Sequence, residues 1–423
     1  MKEVNIVSEN ITPQALESHL QAWLESLPAQ PRKVLLLPPD FTRFHSKAGL
    51  IVQLLYKMLA PRAVVNIMPA LGTHFAMNEP ERIKMFGTAI PAERFLNHDW
   101  RNGVVKIGEV SGAYVAEVSG GLVNDPIQVE INRELLQPDY DLIVSVGQVV
   151  PHEVVGMANY GKNVFVGCGG KDMINRSHFL GAAYGMERMM GRADTPVRKV
   201  FNYAEEHFLG QLPLQYILTV TTTVREKTSL NGLFIGRSYP LFEAAVQLSQ
   251  QKNLDLLDRP LRKVVVYLDP EEFKSTWLGN KAVYRTRMAI ADGGELLILA
   301  PGVRQFGEDP AIDVLIRKYG YVGSKKVLQL VEQEEDLRNN LSAAAHLIHG
   351  SAEGRFNITY ATQHVSQSEV EQVNFKYMPY GEAIHRYDPQ ALKDGYNTLA
   401  GGEEIFFISN PALGLWALKE KFQ

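Results

Sequence analysis

Apolar residues recur at helical spacing through residues 15–27 (ALESHLQAWLESL), where Leu16, Leu20, Trp23, Leu24 and Leu27 fall on one face and predict an amphipathic helix. The pattern then tightens to an unbroken apolar run at 33–37 (KVLLL), a short buried strand that runs into the polar turn Pro38-Pro39-Asp40-Phe41-Thr42-Arg43. Helical spacing returns over 47–60, a second apolar run follows at 64–68 (VVNIM), and the turn Pro69-Ala70-Leu71-Gly72-Thr73-His74 leads to a helix at 79–86. Strand, polar turn and helix in this rhythm predict parallel α/β layers, because parallel neighbours need crossover connections. Residues 104–131 alternate with glycine turns and predict an antiparallel excursion. The run at 141–147 (DLIVSVG) is the next buried strand, and the Asn-Val-Phe-Val-Gly that follows Lys162 reads as strand too.

Beyond it the pattern gives a helix-like, methionine-rich stretch at 179–208, a strand at 212–224 and an amphipathic helix at 238–258. A second α/β unit begins after the charged, proline-bearing segment 257–262: strand 263–268, helix 271–291, the turn Gly293-Gly294, strand 295–300, three helices between 309 and 348, and strand 357–361. The expected division is a larger N-terminal domain over 1–258, rejoined by 393–423, and a smaller C-terminal α/β domain over 262–390. The fold class is therefore α/β, two-domain, with mainly parallel sheet, and ligand sites in such proteins favour the interdomain cleft.

Composition narrows the function. A chain of 423 residues exceeds one ordinary core, and 45% hydrophobic with 21% charged residues is globular. A formal net charge of −4 leaves no basic surplus for nucleic acid. Cys168 is the sole cysteine, the N-terminal stretch lacks the apolar core of a signal peptide, and no apolar run reaches the length of a membrane span. A cytoplasmic protein without membrane or nucleic-acid partners is expected.

Candidate chemistry gathers on the loops after the predicted parallel strands, at the strand ends where open α/β sheets bind ligands. The stretch 151–178 (PHEVVGMANYGKNVFVGCGGKDMINRSH) holds His152, Lys162 and His178 among Gly156, Gly161, Gly167, Gly169 and Gly170, which permit positive φ or close backbone approach. Gly156 through Lys162 nearly satisfies the phosphate-binding P-loop pattern, but Asn163 stands where a serine or threonine should hold magnesium. His74 and His152 each end a strand-to-loop transition, and a pair of histidines suits proton transfer on two faces of one carbon. Taken singly, each is as readily a structural residue, and His98, next to Asp99, reads as structural.

Together, Asp40-Phe41-Thr42-Arg43, Gly72-Thr73-His74, Pro151-His152, Gly161-Lys162 and His178 resemble the nickel-dependent lactate racemase family. The separations of ten residues from His152 to Lys162 and sixteen from Lys162 to His178 agree with its pattern. The resemblance implies a nickel-pincer nucleotide, a pyridinium mononucleotide whose sulfur arms grip nickel. It implies Lys162 as the lysine joined to that cofactor, His178 as the protein ligand to nickel, and Asp40, Phe41, Thr42 and Arg43 as holders of the nucleotide portion. His74 and His152 would be the acid–base pair of a 2-hydroxy acid racemase or epimerase that works by hydride transfer. Proteins that build the cofactor would be partners in the cell.

Two departures from the family stand out. Gly156-Met-Ala-Asn-Tyr-Gly161 replaces a Gly-Phe-Ser-Gly-Gly type run before the lysine. In the second domain Lys281 fits the family's substrate-binding lysine, twelve residues before Gly293, but Leu278 replaces its glutamine. Arg285, one turn beyond Lys281, and Arg287 are either substrate contacts or ordinary surface charges. As contacts they favour a substrate larger than lactate, a sugar acid or a hydroxy-dicarboxylic acid. The alternatives are lactate racemase proper, a P-loop-like ATP-binding protein, and a non-catalytic nucleotide-binding sensor.

Overall fold

The computed structural model describes residues 3–224, 227–412 and 414–422. The chain forms two compact units, Met1–Leu180 with Met189–Asn253, and Gly181–Arg188 with Leu254–Gln423.

The first unit is built on a six-stranded sheet in the order Val4–Val7, Lys227–Gly236, Leu214–Val224, Leu142–Gln148, Lys33–Leu37, Val64–Ile67. The last four strands are mutually parallel, and the first two add antiparallel at one side. Successive side chains of Lys33–Leu37 point to opposite faces, yet Val34, Leu35, Leu36 and Leu37 are all fully buried, so both faces of this strand are covered. One face receives the helices Pro13–Glu25 and Ala48–Leu59: Leu16, Leu20, Trp23, Ile51, Val52 and Leu55 close over Val34, Leu36, Val144 and Val146. Each such aliphatic side chain contributes about 1.5–3 kcal/mol by leaving water. The first helix starts where expected because Thr12 caps it through the Ala15 N–H and Pro13 follows at its first position.

The antiparallel excursion is present as Val104–Val110 paired with Ile127–Asn132, but a helix, Gly112–Ser119, lies between the two strands. Ser111 caps that helix and Gly120, at φ 67°, ends it.

The second unit carries a sheet ordered Lys376–Pro379, Asn357–Thr362, Ile290–Ala300, Leu261–Tyr267, Glu404–Ile408, Gly395–Thr398, parallel except for its last strand. This corrects the domain division. Glu404–Ile408 pairs with Leu261–Tyr267 and buries Ile405, Phe406, Phe407 and Ile408, so the C-terminal stretch belongs to the second unit and does not rejoin the first. The Gly293-Gly294 pair lies inside the strand Ile290–Ala300, with Gly293 at φ 76°, and the helix expected at 271–291 is two short ones, Thr276–Gly279 and Lys281–Thr286. Among the described residues no helix is long and apolar enough to cross a membrane.

Candidate functional site

Three neighbouring parallel strands of the first unit, Leu142–Gln148, Lys33–Leu37 and Val64–Ile67, lie in register, with Leu36 opposite both Val144 and Ile67. Their carboxyl ends therefore open on the same edge of the sheet. Asp40, His74 and His152 follow those ends by a few residues each, which brings the three predicted loops together.

Asp40 is buried and uses both carboxylate oxygens. Oδ1 caps the short helical turn Phe41–Ser46, accepting the Thr42 N–H at 3.1 Å and the Thr42 hydroxyl at 2.5 Å. Oδ2 lies 2.6 Å from His74 Nδ1. Burial alone would raise the Asp40 carboxyl, but the hydrogen bond and charge of His74, the Thr42 hydroxyl and the Arg43 charge together hold it below the ordinary carboxylate value. A carboxylate accepts only, so His74 Nδ1 carries a proton; in the neutral form of the ring the lone pair is then on Nε2. The His74 side chain is 57% exposed.

His152 stands in a different state. It is 5% exposed, and its Nδ1 accepts the Val154 N–H at 3.1 Å, which puts the proton of the neutral ring on Nε2. Burial pushes its basicity well down. The Glu153 carboxylate, 3.9 Å from Nδ1, opposes this, while Lys162, Arg43 and His178 reinforce it.

Lys162 follows a strained turn. Asn159 and Tyr160, both non-glycine, adopt left-handed φ of 64° and 55°, and of the five loop glycines only Gly156, at φ 86°, does so. Gly167 has a different duty: a Cβ there would lie 2.6 Å from the Ala70 Cβ, on the loop leading to His74. Gly167 also accepts the Gly72 N–H at 2.9 Å, which ties the two loops together. Residues Asn163–Gly167, expected as strand, form a wide helical turn instead, so Gly161-Lys162 does open a helical segment. The buried Asn163 amide donates to the Leu37 carbonyl and to Ser145 Oγ, anchoring that turn across two strands. Burial lowers the Lys162 ammonium to about 8; Arg43 and Arg198 add to the effect, and Glu153 and Asp40 oppose it.

His178 sits in the helix Lys171–Tyr184, where its Nδ1 donates to the Ile174 carbonyl at 2.6 Å. Nε2 is left with its lone pair, the arrangement in which a backbone carbonyl orients a metal-binding imidazole. Burial, only partly offset by the bond to Ile174, lowers the ring to about 4, so it is neutral near pH 7. No group of three or more His, Cys, Asp or Glu side chains able to hold a metal occurs among the described residues.

The structure thus joins Asp40 to His74 and puts Lys162 within electrostatic reach of Asp40, Arg43, Glu153, His152 and His178. Thr42 is engaged on Asp40, and Phe41 packs half-buried against the core, 5.5 Å from the ring of Phe44. His98 is structural: Nε2 donates to Gly169 and Nδ1 accepts from Asn132. Lys281 and Arg285 belong to the second unit, on the helix Lys281–Thr286. Lys281 Nζ lies 5.5 Å from the Phe273 ring. The surface-charge reading of the two arginines fails. Arg285 is 2% exposed and donates to the Gly414 carbonyl, and Arg287, 4% exposed, pairs with Glu187 at 3.4 Å. Sequence reasoning missed Glu153 and Arg198. Glu153 was signalled by its place beside His152, whereas nothing in the helical pattern of 196–208 marks Arg198 as buried.

Residues 2–189 match the lactate racemase N-terminal domain family. A crystal structure of a protein from Thermotoga maritima superposes with a TM-score of 0.83 at 26% identity, covering 98% of this chain and 100% of that one. The lactate racemase apoprotein from Thermoanaerobacterium thermosaccharolyticum gives 0.71 at 16% identity, covering 97% and 94%, a likeness of fold. No curated protein matches the chain.

Proposed function

We propose that this chain, which carries a lactate racemase N-terminal domain over residues 2–189, is a racemase or epimerase of a 2-hydroxy acid. The observation that carries the proposal is the pair of histidines in opposite hydrogen-bonding states. His74 has its Nδ1 proton fixed on Asp40, so the neutral ring has its lone pair at Nε2; His152 has its Nδ1 fixed on Val154, so the neutral ring has its proton at Nε2. His74 takes the hydroxyl proton of the bound acid as C2 becomes planar, and His152 holds the oxygen of the opposite configuration. Fixing both rings through their other nitrogens removes the cost of orienting them during reaction.

The residues suit a nickel-pincer nucleotide. Lys162 offers an amine of suppressed basicity for attachment, and His178 offers one neutral nitrogen donor, a chemically sensible nickel ligand. Asp40, Phe41, Thr42 and Arg43 stand at the adjacent strand end, where the nucleotide portion would lie. When bound, such a cofactor supplies the acceptor and donor of hydride at C2. In the second unit we assign Lys281 to the substrate carboxylate. Arg285, the second expected substrate contact, is buried on the same helix and donates to the Gly414 carbonyl. The apolar Leu278, where the family has glutamine, supports a preferred acid other than lactate.

The test is to purify the chain from cells that make the cofactor, measure nickel and intact mass, and assay single-enantiomer 2-hydroxy acids by chiral analysis. Nickel, an added cofactor mass and inversion of a larger acid are expected. Lactate as the fastest substrate would make it lactate racemase proper. A cofactor-loaded chain inert on every acid would point to a nucleotide sensor, and magnesium-dependent ATP turnover abolished by Lys162→Ala to a P-loop protein.

A further inference from the structure

We propose that Arg198 is a positioning residue for Lys162: its guanidinium clamps the carbonyls of Met157 and Asn159 and so fixes the left-handed turn from which Lys162 is presented. Arg198 lies on the helix Pro196–Phe208 and is 1% exposed. Its Nη2 donates to Met157 at 2.7 Å and to Asn159 at 3.2 Å. Its Nε and Nη1 have no acceptor among the described residues, and the group lies 4.4 Å from the Phe242 ring centroid. A cation so placed loses more hydration than its two bonds return, and the aromatic face restores only part of it. An apolar side chain would fill this space more favourably, so the arginine is kept for what its fork holds.

What it holds is the run from Met157 to Lys162. Asn159 and Tyr160 both sit at positive φ, a conformation that a chain without glycine leaves unless its surroundings fix it. Three further contacts close the frame. Asn159 Nδ2 lies only 2.0 Å from where a Cβ at Gly147 would stand, the Tyr160 hydroxyl donates to the Arg237 carbonyl at 2.6 Å, and the Tyr160 ring stacks 5.0 Å from Phe242. Two residues later the chain presents Lys162.

The charged groups near Lys162 are Arg43 and Asp40 at the end of Lys33–Leu37, Glu153 beyond Leu142–Gln148, and Arg198; His152 and His178 are also near, both with basicity lowered by burial. Arg198 thereby acts on Lys162 twice, through the backbone that aims it and through a like charge that favours the neutral amine.

The importance of Lys162 rests on the function proposed above, but the test does not. The full-length chain, made in cells that lack the cofactor, is followed by hydrogen–deuterium exchange and peptide mass spectrometry over residues 157–164, with the helix Pro13–Glu25 as internal reference. In Arg198→Met the turn should exchange about ten-fold faster while the reference helix is unchanged, and Arg198→Lys, which keeps a donor and the charge, should restore part of the protection. Circular dichroism and melting establish that each variant is folded; where R198M does not fold, Arg198→Gln takes its place. Unchanged exchange of the turn in a folded neutral variant overturns the proposal. So does failure of both neutral variants to fold, which would leave Arg198 a purely structural role. Neither result touches the racemase reading, since no turnover or cofactor enters the measurement.

Discussion

His74, His152 and His178 are three imidazoles with three separate attachments, to a carboxylate, to a backbone N–H and to a backbone carbonyl. On the function proposed above, those attachments would divide their work. His74→Ala or His152→Ala should reduce racemisation by at least ~10²-fold while bound nickel stays near the parent stoichiometry. His178→Ala should lose nickel, read by elemental analysis of the purified protein. Equal nickel loss in all three variants would mean the division is wrong. Lys162 makes a prediction of its own in the cofactor-free chain. Its folded-state value, about 8, lies below the ordinary 10.5, so the folded state binds fewer protons than the unfolded state between those limits. Stability therefore rises with pH across that window. Lys162→Met should be the more stable protein below pH 8, by on the order of 3 kcal/mol, and the gap should close as pH approaches 10.5. Urea denaturation of both chains at several pH values measures it.

At the level of elements, the wide turn Asn163–Gly167 decides whether the loops of Lys162 and His74 fit together. Gly167→Ala places a methyl group 2.6 Å from the Ala70 Cβ, and the turn must move to admit it. A loss of about 1–3 kcal/mol is expected in chemical denaturation, with weaker cofactor retention, although no catalytic side chain is altered. The same turn shows what sequence reading reaches and what it misses. Asn-Val-Phe-Val-Gly is apolar and β-branched, so local pattern says strand. The Asn163 bonds to Leu37 and Ser145 wind it into a helical turn, and neither partner is near in sequence. The parallel strands Lys33–Leu37 and Leu142–Gln148 were legible because burial on both faces leaves unbroken apolar runs. The loops at their ends were legible because Asp40, His74 and His152 interrupt those runs with chemistry. Arg285, Arg287 and Arg198 were not, since a charged residue on a helix reads as solvated until its partners are known. Helix Gly112–Ser119 was hidden by flanking glycines that look like hairpin turns.

At the scale of the whole molecule, both sheets are mainly parallel, and the chain closes the second one from its far end. Glu404–Ile408 lies between Leu261–Tyr267 and Gly395–Thr398, with four of its five residues buried. A chain ending at residue 390 should therefore lose the fold of the second unit, and limited proteolysis should degrade residues 254–390 while the first unit persists. Persistence of that segment as a protected fragment would contradict the topology. The central claim is that this molecule inverts C2 of a 2-hydroxy acid without releasing the carbon-bound hydrogen to water, the histidines handling only the hydroxyl proton. The direct measurement uses the preferred acid as a single enantiomer deuterated at C2, incubated with nickel-loaded enzyme in ordinary water. Mass spectrometry of the chirally separated product should find the deuterium largely retained at the inverted carbon. Complete washout would mean proton abstraction from C2 and enolisation, and would contradict the account.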